Sequence, residues 1–130
     1  MSEFKVSEAA ALLGVSDDTI RRRAEAGKLT LSGSPSTVDG VQLAALAQEL
    51  AADSALSTAF PNTKASARNR ITGIVTKVTK DGVMAQVELQ AGPFRIVSLM
   101  SREAADELKL EPGKLATASV KATTVVVEIP

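Results

Sequence analysis

The chain has 130 residues, 45% of them apolar, which suffices for one ordinary domain or two small ones with hydrophobic cores. It has no cysteine and no histidine. That excludes disulfides, thiolate nucleophiles and Cys-bound zinc, and removes the commonest general base and the commonest transition-metal ligand, so enzymatic function is not expected. Formal charge is zero, but residues 1–63 hold five Lys or Arg against eight Asp or Glu, a net −3, while residues 64–130 hold ten against seven, a net +3.

No apolar run approaches the roughly 18 residues needed to span a bilayer, and the start of the chain lacks a signal-peptide pattern. A cytoplasmic protein with no membrane partner is expected.

In chain order, Ser7 is a good N-cap for a short helix through Ala9–Leu13, ended by Gly14. Ser16 caps a second helix whose first turn carries Asp17 and Asp18, with Val15 positioned to staple onto Ile20 and Gly27 as its stop. Two short helices broken by one glycine predict a helix-turn-helix. The run from Phe4 to Leu29 resembles the MerR and excisionase type of DNA-binding domain. The resemblance implies that the second helix enters the major groove and that a short wing follows, here residues 28–37. Candidate DNA-contacting residues are Ser16, Asp18, Thr19, Arg21, Arg22, Arg23 and Lys28. Consecutive arginines point in different directions on a helix, so at least one is expected to face solvent or to pair with Glu25 or Asp18. Residues 38–43 read as a staple and capping box opening a third helix from Val41 to about Ala52, with Leu43, Leu46, Ala47 and Leu50 on one face.

Residues 53–65 lose helical periodicity, contain Pro61-Asn62 and read as a linker between domains at 1–52 and 66–130. Beyond it, the β-branched run Ile71–Lys80 meets a hairpin signal at Asp81-Gly82. Val83, Ala85, Val87 and Leu89 then alternate with polar or exposed positions, which predicts one core face. A third strand is expected at Phe94–Met100, a Ser101-capped helix at Arg102–Leu108, and two final strands at Leu115–Lys121 and Thr124–Ile129.

Two clusters in this half lack acids: Ser66-Ala67-Arg68-Asn69-Arg70 ahead of the first strand, and Ser119-Val120-Lys121-Ala122-Thr123-Thr124 near the end. Cations, hydroxyls and free backbone N–H groups without a repelling carboxylate suit a fully ionised oxyanion. A helix start with a hydroxyl cap, as at Ser101, offers the same chemistry.

Ser-Ala-Arg-Asn opening a strand, an acidic helix ending in Leu-Lys-Leu-Glu-Pro-Gly, and Val-Lys-Ala-Thr-Thr-Val together resemble the molybdate-binding Mop domain of the molbindin or TOBE type, over residues 65–129. The resemblance implies a five-stranded OB-like barrel with one short helix, binding molybdate or tungstate at subunit interfaces. Its implied ligand residues are Ser66, Ala67 through its backbone, Arg68, Ser101, Lys121, Ala122 and Thr123. No covalent cofactor is expected, and no metal other than that of the oxyanion. One departure is Ala104, where many such domains carry a second hydroxyl. A chain with one copy of a shared site should form a homo-oligomer, dimer or hexamer, as the family offers both.

The whole chain is therefore expected to be an α+β, two-domain protein: a winged helix-turn-helix-like unit and a small barrel. Its expected function is a molybdate- or tungstate-sensing transcriptional regulator. The alternatives are a storage or buffering protein whose helical domain serves assembly, and a DNA-binding or scaffold protein with an emptied barrel.

Overall fold

The computed structural model describes residues 2–60 and 64–130. They form two compact units, Met1–Pro61 and Asn62–Pro130.

The first unit holds β1 (Glu3–Lys5), α1 (Val6–Leu13), α2 (Asp17–Glu25), β2 (Leu31–Ser32), β3 (Thr37–Asp39), α3 (Gly40–Ala52) and α4 (Ala55–Ala59). Its strands form a small antiparallel sheet in the order β1-β3-β2. Helix α1 starts just before the expected Ser7 cap, because Glu8 reaches back and its carboxylate accepts the Lys5 N–H at 2.9 Å. Gly14 closes α1 in the left-handed region at φ 67°. Ser16 caps α2 as expected, its Oγ accepting the Thr19 N–H at 3.1 Å. Asp39 caps α3 by accepting the Gln42 N–H. The capping-box role expected of Gln42 is not taken up; its side-chain oxygen accepts the Thr30 N–H at 2.8 Å and ties α3 to the segment before β2.

These elements bury Val6, Ala9, Ala10, Ile20, Leu29, Val38, Leu43 and Leu46 in one core, against which Val15 and Leu50 pack. Ile20 and Val38 are completely enclosed. The expected unstructured linker contains α4, capped by Ser54, whose Oγ accepts the Leu56 N–H at 3.2 Å. Pro61-Asn62 lies outside the described residues.

The second unit holds β4 (Asn69–Lys80), β5 (Met84–Ala91), β6 (Phe94–Ser101), α5 (Arg102–Glu107), β7 (Leu115–Val120) and a 3₁₀ turn at Ala122–Thr124. Its antiparallel sheet runs β6-β5-β4-β7. Strand β4 serves two partners: its first half pairs with β7 from Asn69↔Val120 to Ile74↔Leu115, and its second half pairs with β5 to Lys80↔Ala85. A register shift between Val75 and Lys77 marks the change, and the bulge adds twist there. Gly73 lets β4 and β5 approach closely, since a Cβ there would lie 2.5 Å from the Gln90 carbonyl oxygen.

The core of this unit is small: Val75, Val87 and Leu89, with Val78, Ile96, Met100, Leu110, Ala116 and Ala118 packed on it. Ala85 is buried as the alternation requires, but Val83 is 73% exposed. The turn accounts for the difference. The Asp81 carboxylate accepts the N–H groups of Val83 and Met84, both at 2.7 Å, so Val83 belongs to the turn and β5 begins after it. The same two bonds hold the Asp81 carboxyl below the ordinary carboxylate range.

Among the described residues the sheet has four strands, not the expected five. After the 3₁₀ turn, residues 125–130 pair with no strand among the described residues, and Val126, Val127 and Ile129 are left exposed. A strand requires a partner edge, and no edge of this chain's own sheet takes this segment.

Candidate functional site

Three parts of the second unit carry the residues singled out by sequence. The first is the approach to β4. Ser66 and Arg68 are exposed and Ala67 is half-buried, with Arg68 Nη1 donating to the Ala65 carbonyl at 3.3 Å. The second is the end of β7 and the turn beyond. Lys121 is exposed, and its carbonyl accepts both the N–H and the hydroxyl of Thr124, at 3.0 and 2.9 Å. That closes the turn and leaves Ala122 and Thr123 at its exposed outside.

The sheet brings these two parts together. Asn69 pairs with Val120, and its Nδ2 donates to the Val120 carbonyl at 3.1 Å. Arg68 and Lys121 are the residues just beyond this last pair, Arg68 on the approach to β4 and Lys121 after the end of β7. No carboxylate pairs with either among the described residues. The segments that leave this end of the ladder thus carry cations without an ion-pair partner, together with the hydroxyls of Ser66, Ser119 and Thr123, and such charge attracts anions.

The third part, Ser101, stands elsewhere. It pairs with Met84 beside the Asp81 turn, at the far end of the 12-residue β4. Its Oγ accepts the Ala104 N–H at 3.1 Å and caps α5. Within one chain, Ser101 therefore does not converge with Ser66, Arg68 and Lys121. A groove of about 560 Å³ lies along the core face, lined by Val87, Leu89, Ile96, Met100, Leu110 and Ala116 among others. Its walls are mostly apolar, and neither Arg68 nor Lys121 lines it.

Arg70 belongs to the acid-free Ser66–Arg70 cluster, but it is not among the ligand residues that the resemblance implies. It lies on β4 opposite Ser119, half-buried, and its Nη1 donates to Ser119 Oγ at 3.2 Å. Its signal in the sequence is a second cation two residues beyond Arg68 in a stretch without acids.

In the first unit, Ser16, Thr19 and Arg22 form one hydrogen-bonded chain at the start of α2: the two hydroxyls lie 3.0 Å apart, and Arg22 Nη2 donates to Thr19 Oγ1 at 3.2 Å. Asp18, Arg21 and Arg22 are exposed. Arg23 and Lys28 instead share one carboxylate on α3, at 4.0 and 3.6 Å from Glu49 Oε1. The expected arginine pairing is thus made by Arg23, but with Glu49 rather than with Glu25 or Asp18. Helix α3 comes close to both cations and competes for them with any external anion.

Three comparisons bear on the second unit. Residues 65–127 match the TOBE domain. The chain is 40% identical over 67 residues to a probable molybdenum-pterin-binding protein of Haemophilus influenzae, covering 97% of that protein and 51% of this chain. It is also similar to the structure of a molybdate-binding protein from Sporomusa ovata, with 31% identity, a TM-score of 0.50, and coverage of 52% of this chain and all of the other.

Proposed function

The chain belongs, through residues 65–127, to the TOBE-domain family of molybdate-binding Mop proteins, and from that premise we propose that it is a cytoplasmic, molybdate- or tungstate-responsive transcriptional regulator. The observation that supports the reading is the end of the β4–β7 ladder at Asn69↔Val120, just beyond which lie Arg68 and Lys121, neither paired with a carboxylate among the described residues. Arg68 and Lys121 neutralise the dianion, while the hydroxyls of Ser66, Ser101 and Thr123 and the N–H groups of Ala67 and Ala122 donate to its oxygens. Since Ser101 stands at the other end of β4, a full donor set combines the ladder end of one copy with the α5 start of another. The protein then works as a homo-oligomer, a dimer or a hexamer. The exposed tail at 125–130 supports this assembly, as it has no partner in its own sheet.

The helical unit acts as a winged helix-turn-helix, with α2 in the major groove and Ser16, Asp18, Thr19, Arg21, Arg22, Arg23 and Lys28 available to DNA. Ligand binding between copies biases the spacing of these units, which requires the anion to favour one arrangement over another. A second reading, intracellular storage or buffering of the oxyanion with the helical unit serving assembly, is favoured by one observation: Glu49 lies close enough to Arg23 and Lys28 to engage both.

Titration calorimetry of the full chain with molybdate, and with sulfate as control, tests the ligand. Molybdate heat without sulfate heat is expected. Arg68→Ala and Lys121→Ala should each lose at least about tenfold in affinity, the worth of one charge-assisted hydrogen bond, with an unchanged melting temperature because both side chains are exposed. Undiminished affinity in both variants refutes the site. A gel shift against the protein's own upstream DNA at low salt separates the two readings, since absence of a shift leaves storage.

A further inference from the structure

In the second unit several cations have an acid to answer them. Arg95 pairs with Glu88, and Lys80 and Arg102 both meet Asp106, at 2.6 and 3.6 Å. Arg70 and Lys77, both on β4, have none among the described residues, and of the two only Arg70 is shielded from solvent. It is half-buried and bonded to a neutral hydroxyl; its Nε is shut off from solvent with no hydrogen-bond partner, and no carboxylate reaches it among the described residues. A guanidinium partly withdrawn from water remains costly until an anion compensates it, and Ser119 Oγ cannot do so. Next to Arg70 on the same side of the ladder are Thr72 and Thr117, whose hydroxyls lie 2.9 Å apart, so the surroundings are polar and free of acid.

We propose that Arg70 is a further cationic arm of the oxyanion site, aimed by Ser119, whose Nη2 edge receives an oxygen of the tetrahedral anion. The inference rests on the reading given above for Arg68 and Lys121. It adds a residue two positions beyond Arg68 in the chain, at the start of β4. Ser119 is a positioning residue here: it holds Nη1 and leaves Nη2 to the ligand.

Molybdate titrations, together with thermal melts in chloride, sulfate and molybdate at one ionic strength, would be made on the full chain and on Arg70→Gln, Arg70→Lys and Ser119→Ala. Arg70→Gln should weaken molybdate about tenfold to a hundredfold, the range for a hydrogen bond to a charged group, at unchanged stoichiometry. Ser119→Ala should lose less, and Arg70→Lys should recover part of the loss, because charge remains but the planar fork does not. Wild-type affinity in Arg70→Gln overturns the inference and leaves the Arg68 and Lys121 reading standing. If the unaltered chain gives no molybdate heat, that reading falls and the melts decide. A sulfate-induced rise that Arg70→Gln lacks sustains an anion-receiving Arg70, and matching melts overturn it. Should Arg70→Gln fail to fold, Ser119→Ala decides in its place. Dissociation of Arg70→Gln oligomers in chloride alone also overturns the inference, since the guanidinium would then answer a carboxylate of a second copy.

Discussion

Ser16 and Ser101 show what a single residue reveals through its immediate neighbours. Each is a hydroxyl followed by acidic residues in a first turn, and each caps its helix, because capping depends only on residues three positions away. Gly73 is the opposite case, since its need arises from a strand that lies seventeen residues later. Gly73→Ala would push a methyl to 2.5 Å from the Gln90 carbonyl oxygen. The strands must part to admit it, at a cost of about 1–3 kcal/mol, and chemical denaturation of the second unit should read this as an earlier midpoint. An unchanged midpoint would mean that the β4–β5 approach relaxes freely. Val83 was misread for a related reason: alternation reports a face but not where a turn ends, and the Asp81 carboxylate settles that by drawing Val83 into the turn.

At the level of elements, periodicity made α1, α2, α3 and the four paired strands legible, and a motif placed the Ser66–Arg68 and Lys121–Thr123 clusters in one unit. Helix α4 escaped because five residues are too few to show a 3.6-residue period. The separation of Ser101 from the cations is a matter of register along β4, which the motif does not encode. Sequence was equally blind to the hold of α3 on the α2 end, because Glu49 lies 21 residues beyond Lys28. Glu49→Gln removes that carboxylate and leaves Arg23 and Lys28 to other anions. Since phosphate neutralisation dominates DNA affinity, this variant should bind duplex DNA several-fold more tightly at low salt, with a steeper salt dependence in a gel-shift series. Equal affinity and equal slope would show that these cations do not contact DNA.

For the molecule as a whole, the division into Met1–Pro61 and Asn62–Pro130, each with its own core, implies two unfolding transitions in calorimetry. Saturating molybdate should raise the transition of the second unit alone, by about 2.7 kcal/mol at a hundred times the dissociation constant; a shift of both together would mean that ligand and helices are energetically linked in the isolated protein. The sheet order β6-β5-β4-β7 leaves its two outer strands open, and the valines of residues 125–127 stand uncovered beside them. Chains that meet at open edges either close into a ring or continue to grow. If the donors proposed at the two ends of β4 are combined between copies, such a protein registers its own abundance before it registers its ligand. On that proposal dilution would leave solitary half-sites, and a doubling of copy number should more than double the oxyanion held.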